Sequence, residues 1–168
     1  MNRFLRILKH RWLDETDTRS ALDAAAVERL RRRVETSERT HSGEIRVCVE
    51  AGLPLSYLWR GLGARDRAIT MFGKLRVWDT EANNGVLIYL LLADHAIEIV
   101  ADRGLNRHVS AEQWVAIIAT MREAFRARRY EEGLGKAIDT VDDLLRLHFP
   151  ATPGAHNVNE LPDTPHLR

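Results

Sequence analysis

The run Val86-Leu87-Ile88-Tyr89-Leu90-Leu91-Leu92 is apolar on both of its alternating faces. A strand of that kind needs cover on both sides, so it predicts the central strand of a sheet held between two helical layers. Asn83-Asn84-Gly85 precedes it as a turn, and Ala93-Asp94-His95 is short enough to fold it back as a hairpin. Residues 96–101 then return antiparallel with Ile97 and Ile99 on one face, and Asp102-Arg103-Gly104 ends that strand. Upstream, Ile45, Val47 and Val49 alternate with Arg46, Cys48 and Glu50, which predicts another strand over 45–50.

Helical spacing fills the remaining segments. Leu22, Ala26, Leu30 and Val34 predict a helix over 20–40 that ends at His41-Ser42-Gly43. Leu62, Ile69 and Phe72 predict a second helix over 59–74, with Gly61 and Gly63 weakening its first turn. Ser110 and Gln113 form a capping box, with Val109 and Trp114 placed as a hydrophobic staple, so a third helix starts there. Leu134, Ala137, Ile138, Val141, Leu144 and Leu145 predict a fourth over 131–148. A right-handed crossover between the strands at 45–50 and 86–92 makes them parallel. The expected fold class is therefore α/β, a three-layer α/β/α sandwich with a small mixed sheet. Residues 1–19 are expected to form a basic amphipathic segment and linker, 20–149 the domain, and the proline-rich stretch 150–168 a disordered tail.

Composition narrows the function classes. The chain has 168 residues, with 25 Lys and Arg against 24 Asp and Glu, so its formal charge of +1 gives no general attraction to nucleic acid. No nucleic-acid partner is expected. Cys48 is the single cysteine, which excludes an intrachain disulfide and a cysteine-rich zinc site and suits a cytoplasmic location. As part of a strand it reads as a small buried hydrophobe, not a nucleophile. No apolar run approaches the roughly 20 residues of a membrane helix.

Three motifs carry a resemblance. Ser42-Gly43-Glu44-Ile45 opens a strand after a long helix. Asn83-Asn84-Gly85-Val86-Leu87-Ile88 couples a turn to the apolar strand. Ile97-Glu98-Ile99-Val100 runs into Asp102-Arg103-Gly104-Leu105, with Phe125, Tyr130, Glu132 and Gly133 downstream. Together the stretch from 43 to 147 resembles the TPM-domain family, whose members occur in bacterial envelopes, thylakoids and animal membranes. The resemblance implies an α/β/α sandwich and, for some members, a divalent-cation site and weak acid phosphatase activity. The sequence departs from the family pattern where Asn83 stands in place of an aspartate, and where Asp102-Arg103-Gly104 replaces a tyrosine-containing glycine turn.

The expected strand directions create two rims. One gathers Glu44, Asn83, Asn84, Asp102 and Arg103; the other gathers Glu50, Asp94 and His95. The first coincides with the family-like turns and is the preferred site. Glu44, Asn83, Asn84 and Asp102 are candidate oxygen ligands for Ca2+ or Mg2+, and Arg103 is a candidate anion-binding residue. The competing structural reading is that these side chains cap nearby backbone or pair with neighbours. Asp139, Asp142 and Asp143 read as a solvated helix face, and His41 and His108 as surface histidines.

Residues 1–13 place Phe4, Leu8 and Trp12 among Arg3, Arg6, Lys9 and Arg11. Such a segment either covers the domain's own apolar surface or contacts a membrane protein or anionic membrane surface. The expected function is a TPM-like, divalent-cation-responsive binding or assembly module in a cell-envelope-related system, cytoplasmic or peripheral at the inner face of the membrane. The alternative is a metal-dependent acid phosphatase-like hydrolase of phosphomonoesters.

Overall fold

Ile45–Glu50 (β1) and Val86–Leu91 (β2) lie side by side and parallel, in the register Ile45 opposite Val86 through Glu50 opposite Leu91. A computed structural model describes residues 3–152 and 159–168 of the chain. Ala96–Ala101 (β3) pairs antiparallel with β2, and His166–Leu167 (β4) pairs parallel with β1. The sheet order is β3-β2-β1-β4, a small mixed sheet.

Alternation sends the two faces of β1 and β2 into different cores. Ile45, Val47, Val49, Val86, Ile88 and Leu90 meet Leu30 and Val34 of Ala24–Ser37 (α3), Phe125 of Ala111–Arg126 (α7), and Ile138, Val141 and Leu145 of Tyr130–His148 (α8). Cys48, Leu87, Tyr89 and Leu91 meet Ile7 of Arg3–Trp12 (α1), Leu58 of Leu55–Trp59 (α4), and Ala68 and Met71 of Ala64–Lys74 (α5). Helices therefore cover both faces, as the doubly apolar β2 requires. Gly133 lets α8 approach α7 closely, because a Cβ there would sit 2.6 Å from Cζ of Phe125.

Three stretches differ from expectation for local reasons. The expected linker at 14–19 is largely a helix, Glu15–Ala21 (α2), because Asp14 and Asp17 cap each other's backbone reciprocally. The helix expected over 59–74 is instead α4 and α5, separated where Gly61 takes a left-handed φ of 71°. In α5 Ile69 faces solvent, and Arg67 is buried in its place. The capping box and staple of α7 form as expected, Ser110 with Gln113 and Val109 buried with Trp114.

The tail expected to be disordered has an ordered end. Arg46 donates to the carbonyls of Pro162 and Thr164, Leu161 is buried, and Arg168 donates from its N to Val49 O and accepts at its O from Ala51 N. The physical reason is the open edge of β1, whose unpaired backbone groups need partners. Residues 153–158, also within that expected tail, lie outside the described residues.

Candidate functional site

The starts of β1 and β2 and the end of β3 fall at one edge of the sheet, since Ile45 pairs with Val86 and Val86 with Ala101. Backbone bonds tie the three adjoining turns together. Val86 N donates to Glu44 O at 2.8 Å, Asp102 N to Gly85 O at 2.9 Å, and Gly104 N to Asn83 O at 2.9 Å. Asn83 adopts a left-handed φ of 52°, a conformation asparagine tolerates better than most residues. Gly85 and Gly104 are needed for contact: a Cβ would lie 2.0 Å from Val77 O in the first case and 2.4 Å from Asn83 O in the second.

The side chains of this edge divide into two groups. Asn84 is fully buried; its Nδ2 donates to Ser42 O at 3.0 Å, and its Oδ1 has no hydrogen-bond partner. Asp102 caps the four-residue helix Arg103–Asn106 (α6) through Oδ1, which accepts from Arg103 N at 2.7 Å, while its buried Oδ2 also lacks a partner. Arg103 is exposed, and its Nε donates to Asn83 Oδ1 at 2.8 Å. Glu44 turns elsewhere. Its Oε2 accepts from Leu161 N at 3.0 Å, and it lines a cleft of about 190 Å3 with Glu35, Glu38, Arg39, Asn159 and Asp163, which neither Asn84 nor Asp102 lines. The turns predicted to meet do meet, but Glu44 faces a separate cleft.

Burial raises the carboxyl of Glu44 above the ordinary range. Glu38 is raised to about 9, first by burial and then by Glu44 and Asp163 nearby, although its Oε1 accepts from Ile45 N at 2.8 Å. Glu38 was not legible as a site residue, because a glutamate in a polar helix end carries no signal of burial. His41, expected at the surface, is fully buried, its Nε2 3.4 Å from Asp142 Oδ1. The chain crosses beside it where His41 bridges to Pro150, and burial lowers its pKa. Cys48 is buried, its thiol pushed up to about 12 by burial, as a structural role requires.

The second rim is structural in its contacts. Glu50 pairs with Arg67 in the interior, and Asp94 receives Arg6, Lys9 and His10 from α1. The His10 contact, followed by those of Arg6 and Lys9, lowers the Asp94 carboxyl. His95 lies beside Tyr130, 3.1 Å from its hydroxyl. Arg67 was missed because arginine at helical spacing ordinarily reads as solvent-facing.

The oxygen set on the first edge suits a hard cation in chemistry, since Asn84 Oδ1 and Asp102 Oδ2 are buried acceptors on turns joined by the backbone. Among the described residues no group of three or more His, Cys, Asp or Glu side chains is arranged to hold a metal. Such a site would therefore draw further ligands from amide and backbone oxygens and water.

Comparison with known proteins identifies the fold's relatives. The solution structure of the BA42 protein from the psychrophilic bacterium Bizionia argentinensis matches with a TM-score of 0.74 at 28% identity, covering 86% of this chain and 94% of that one. The N-terminal domain of a P. gingivalis protein matches with a TM-score of 0.61 at 20% identity, over 78% of this chain and 82% of that one, a likeness of fold alone. No curated protein matches the sequence. The sequence profile described as the TPM domain matches residues 16–144, well over half of the chain. The chain belongs to the TPM-domain family.

Proposed function

We propose that this TPM domain is a divalent-cation-responsive binding or assembly module, with its cation site at the turns 83–85 and 102–104. The observation that carries the reading is that Asn84 Oδ1 and Asp102 Oδ2, on turns joined by Asp102 N and Gly85 O, are buried oxygens without hydrogen-bond partners, as is Glu44 Oε1 at the adjoining turn. Buried acceptors without donors are unusual, and a cation satisfies them. In this reading Asn83 supplies backbone or amide oxygen, whereas Glu44 belongs to the neighbouring cleft and supports the C-terminal segment. Loading the site would rigidify the turns and change the surface they present to a partner. The family resemblance supports a cell-envelope-related setting, and the single Cys48 suits its cytosolic side.

Titration of the full chain with CaCl2 and MgCl2 under 1H-15N NMR tests this. The expected result is saturable shifts concentrated at 83–86 and 101–104, abolished by Asp102→Ala and weakened by Asn84→Ala. A hundredfold excess over Kd would stabilise the fold by about 2.7 kcal/mol. Absence of localised shifts with either ion, in a folded sample, removes the cation reading.

Arg103 supports the second reading, a phosphomonoester hydrolase. It is exposed at the same edge, and no ion pair of its side chain is present among the described residues, which leaves its terminal nitrogens for an anion. A hard cation bound beside it would supply Lewis acidity toward a phosphoryl oxygen, and Arg103 would orient the phosphate. Mg2+-dependent hydrolysis of p-nitrophenyl phosphate lost in Arg103→Gln supports this reading; hydrolysis unchanged in that variant and in Asp102→Ala excludes it.

A further inference from the structure

From the placement of α1 we infer a docking surface for an anionic lipid bilayer. Ile7, Arg6 and His10 fix one side of the helix to the domain. Ile7 packs into the core, Arg6 Nη2 donates to Leu62 O at 2.9 Å, and His10 Nδ1 accepts from Leu53 N at 3.1 Å while its Nε2 lies 3.2 Å from Asp94. Those attachments leave the opposite side facing outward, and that side is apolar. Phe4, Leu5, Leu8 and Trp12 are exposed, Trp12 to 85% and Phe4 to 65%.

The helical repeat arranges charge around this stripe. At about 100° per residue, Phe4, Leu8, Trp12 and Leu5 occupy an arc of about 100°, with Arg11 about 20° beyond one end and Lys9 about 40° beyond the other. Both flanking residues are exposed. An apolar stripe bordered on each side by cations is the surface that lies in a lipid interface, with long basic side chains reaching the headgroups.

Apolar and basic side chains are exposed on the neighbouring helix as well. The helix α4 packs beside α1 and adds exposed Leu55 and Trp59, followed by exposed Arg60. No acid lies within α1. The acids that touch α1 or directly follow it have other engagements: Asp94 is held by Arg6, Lys9 and His10, Asp14 and Asp17 cap the start of α2, and Glu15 lies 4.0 Å from Arg19. A scattered exposed apolar residue needs no explanation, but a continuous stripe on a helix whose other side is already docked does. The charge border selects an anionic bilayer over a neutral one, because only the former gains from Lys9 and Arg11. No helix among the described residues is long and apolar enough to cross a membrane, so the contact is interfacial. The inference is independent of the cation site.

Co-sedimentation of the full chain with phosphatidylcholine vesicles, alone or with about a third phosphatidylglycerol, tests it. The chain is expected to partition onto the phosphatidylglycerol vesicles and to be released by high salt. Lys9→Gln and Arg11→Gln each weaken partitioning about fivefold. Leu8→Glu with Trp12→Glu abolishes partitioning, while circular dichroism shows an unchanged fold, since both side chains are exposed. Equal partitioning of that double variant, equal binding to both vesicle types, or no binding to either overturns the proposal. So does a concentration-dependent dimer that the double variant converts to monomer, which would assign the stripe to a second copy of the chain.

Discussion

Arg67 donates to both carboxylate oxygens of Glu50, from Nε and Nη2 at 2.6 Å each, and the two side chains are each only 3% exposed. Tyr89 donates its hydroxyl to the same carboxylate at 2.8 Å, and the guanidinium lies 5.3 Å from the Tyr57 ring centroid. This group joins β1, β2 and α5 inside the second core. A buried pair gains little over an apolar replacement, but its halves depend on one another.

Arg67→Met should therefore cost about 3–5 kcal/mol, because it leaves the Glu50 charge buried with one neutral donor. Adding Glu50→Gln should recover part of that loss, since no uncompensated charge then remains. Urea unfolding of the two variants measures both numbers. A single-variant loss below about 1 kcal/mol would show that water reaches Glu50.

The glycines separate close approach from simple helix propensity. Gly85→Ala must displace Val77 O and Gly104→Ala must displace Asn83 O, so each should cost about 1–3 kcal/mol and shift the amide resonances of 83–86. Gly73 in α5 is the opposite case. No atom lies within 4 Å of a Cβ built there, so Gly73→Ala should stabilise by about 0.5–1 kcal/mol. Thermal unfolding that gives all three the same sign contradicts this account.

What the sequence made legible was whatever depended on local period and turn chemistry. Val86–Leu91 had to be central because it is apolar on both faces, and Ser110 with Gln113 had to start a helix because they cap it. The meeting of the turns near 44, 84 and 102 followed from strand direction. Side-chain direction did not follow. Glu44 faces Leu161 because the C-terminal segment runs along the open edge of β1, a pairing of two residues that no periodicity announces. His41 read as a surface residue, and Arg67 carried no signal of burial, because the burial of each depends on segments distant in the chain.

That C-terminal segment should behave as part of the fold. Leu161 is buried with Cys48 and Leu87, and the backbone of Arg168 bonds to Val49 and Ala51. Leu161→Ala should cost about 2–5 kcal/mol by loss of buried contact and by the space left behind. Native-state hydrogen exchange should show the Ala51 and Arg168 amides, bonded across this edge, losing protection in the variant. Unaltered exchange at Ala51 would mean that the segment does not hold the edge of β1.

Glu38 gives the pH dependence a definite sign. Its folded pKa of about 9 lies above the unfolded value of 4.5, so the folded state holds the proton more tightly. Stability linked to this group is fully present below pH 4.5 and is lost as pH rises toward 9. Glu44, raised by burial in the same cleft, acts in the same direction. Glu38→Gln keeps an oxygen for Ile45 N and removes the titration. The variant should exceed the wild type at pH 8 and match it near pH 4.5, read by urea unfolding at each pH. A gain independent of pH would assign the effect to packing, and a gain confined to acid would reverse the sign of the linkage.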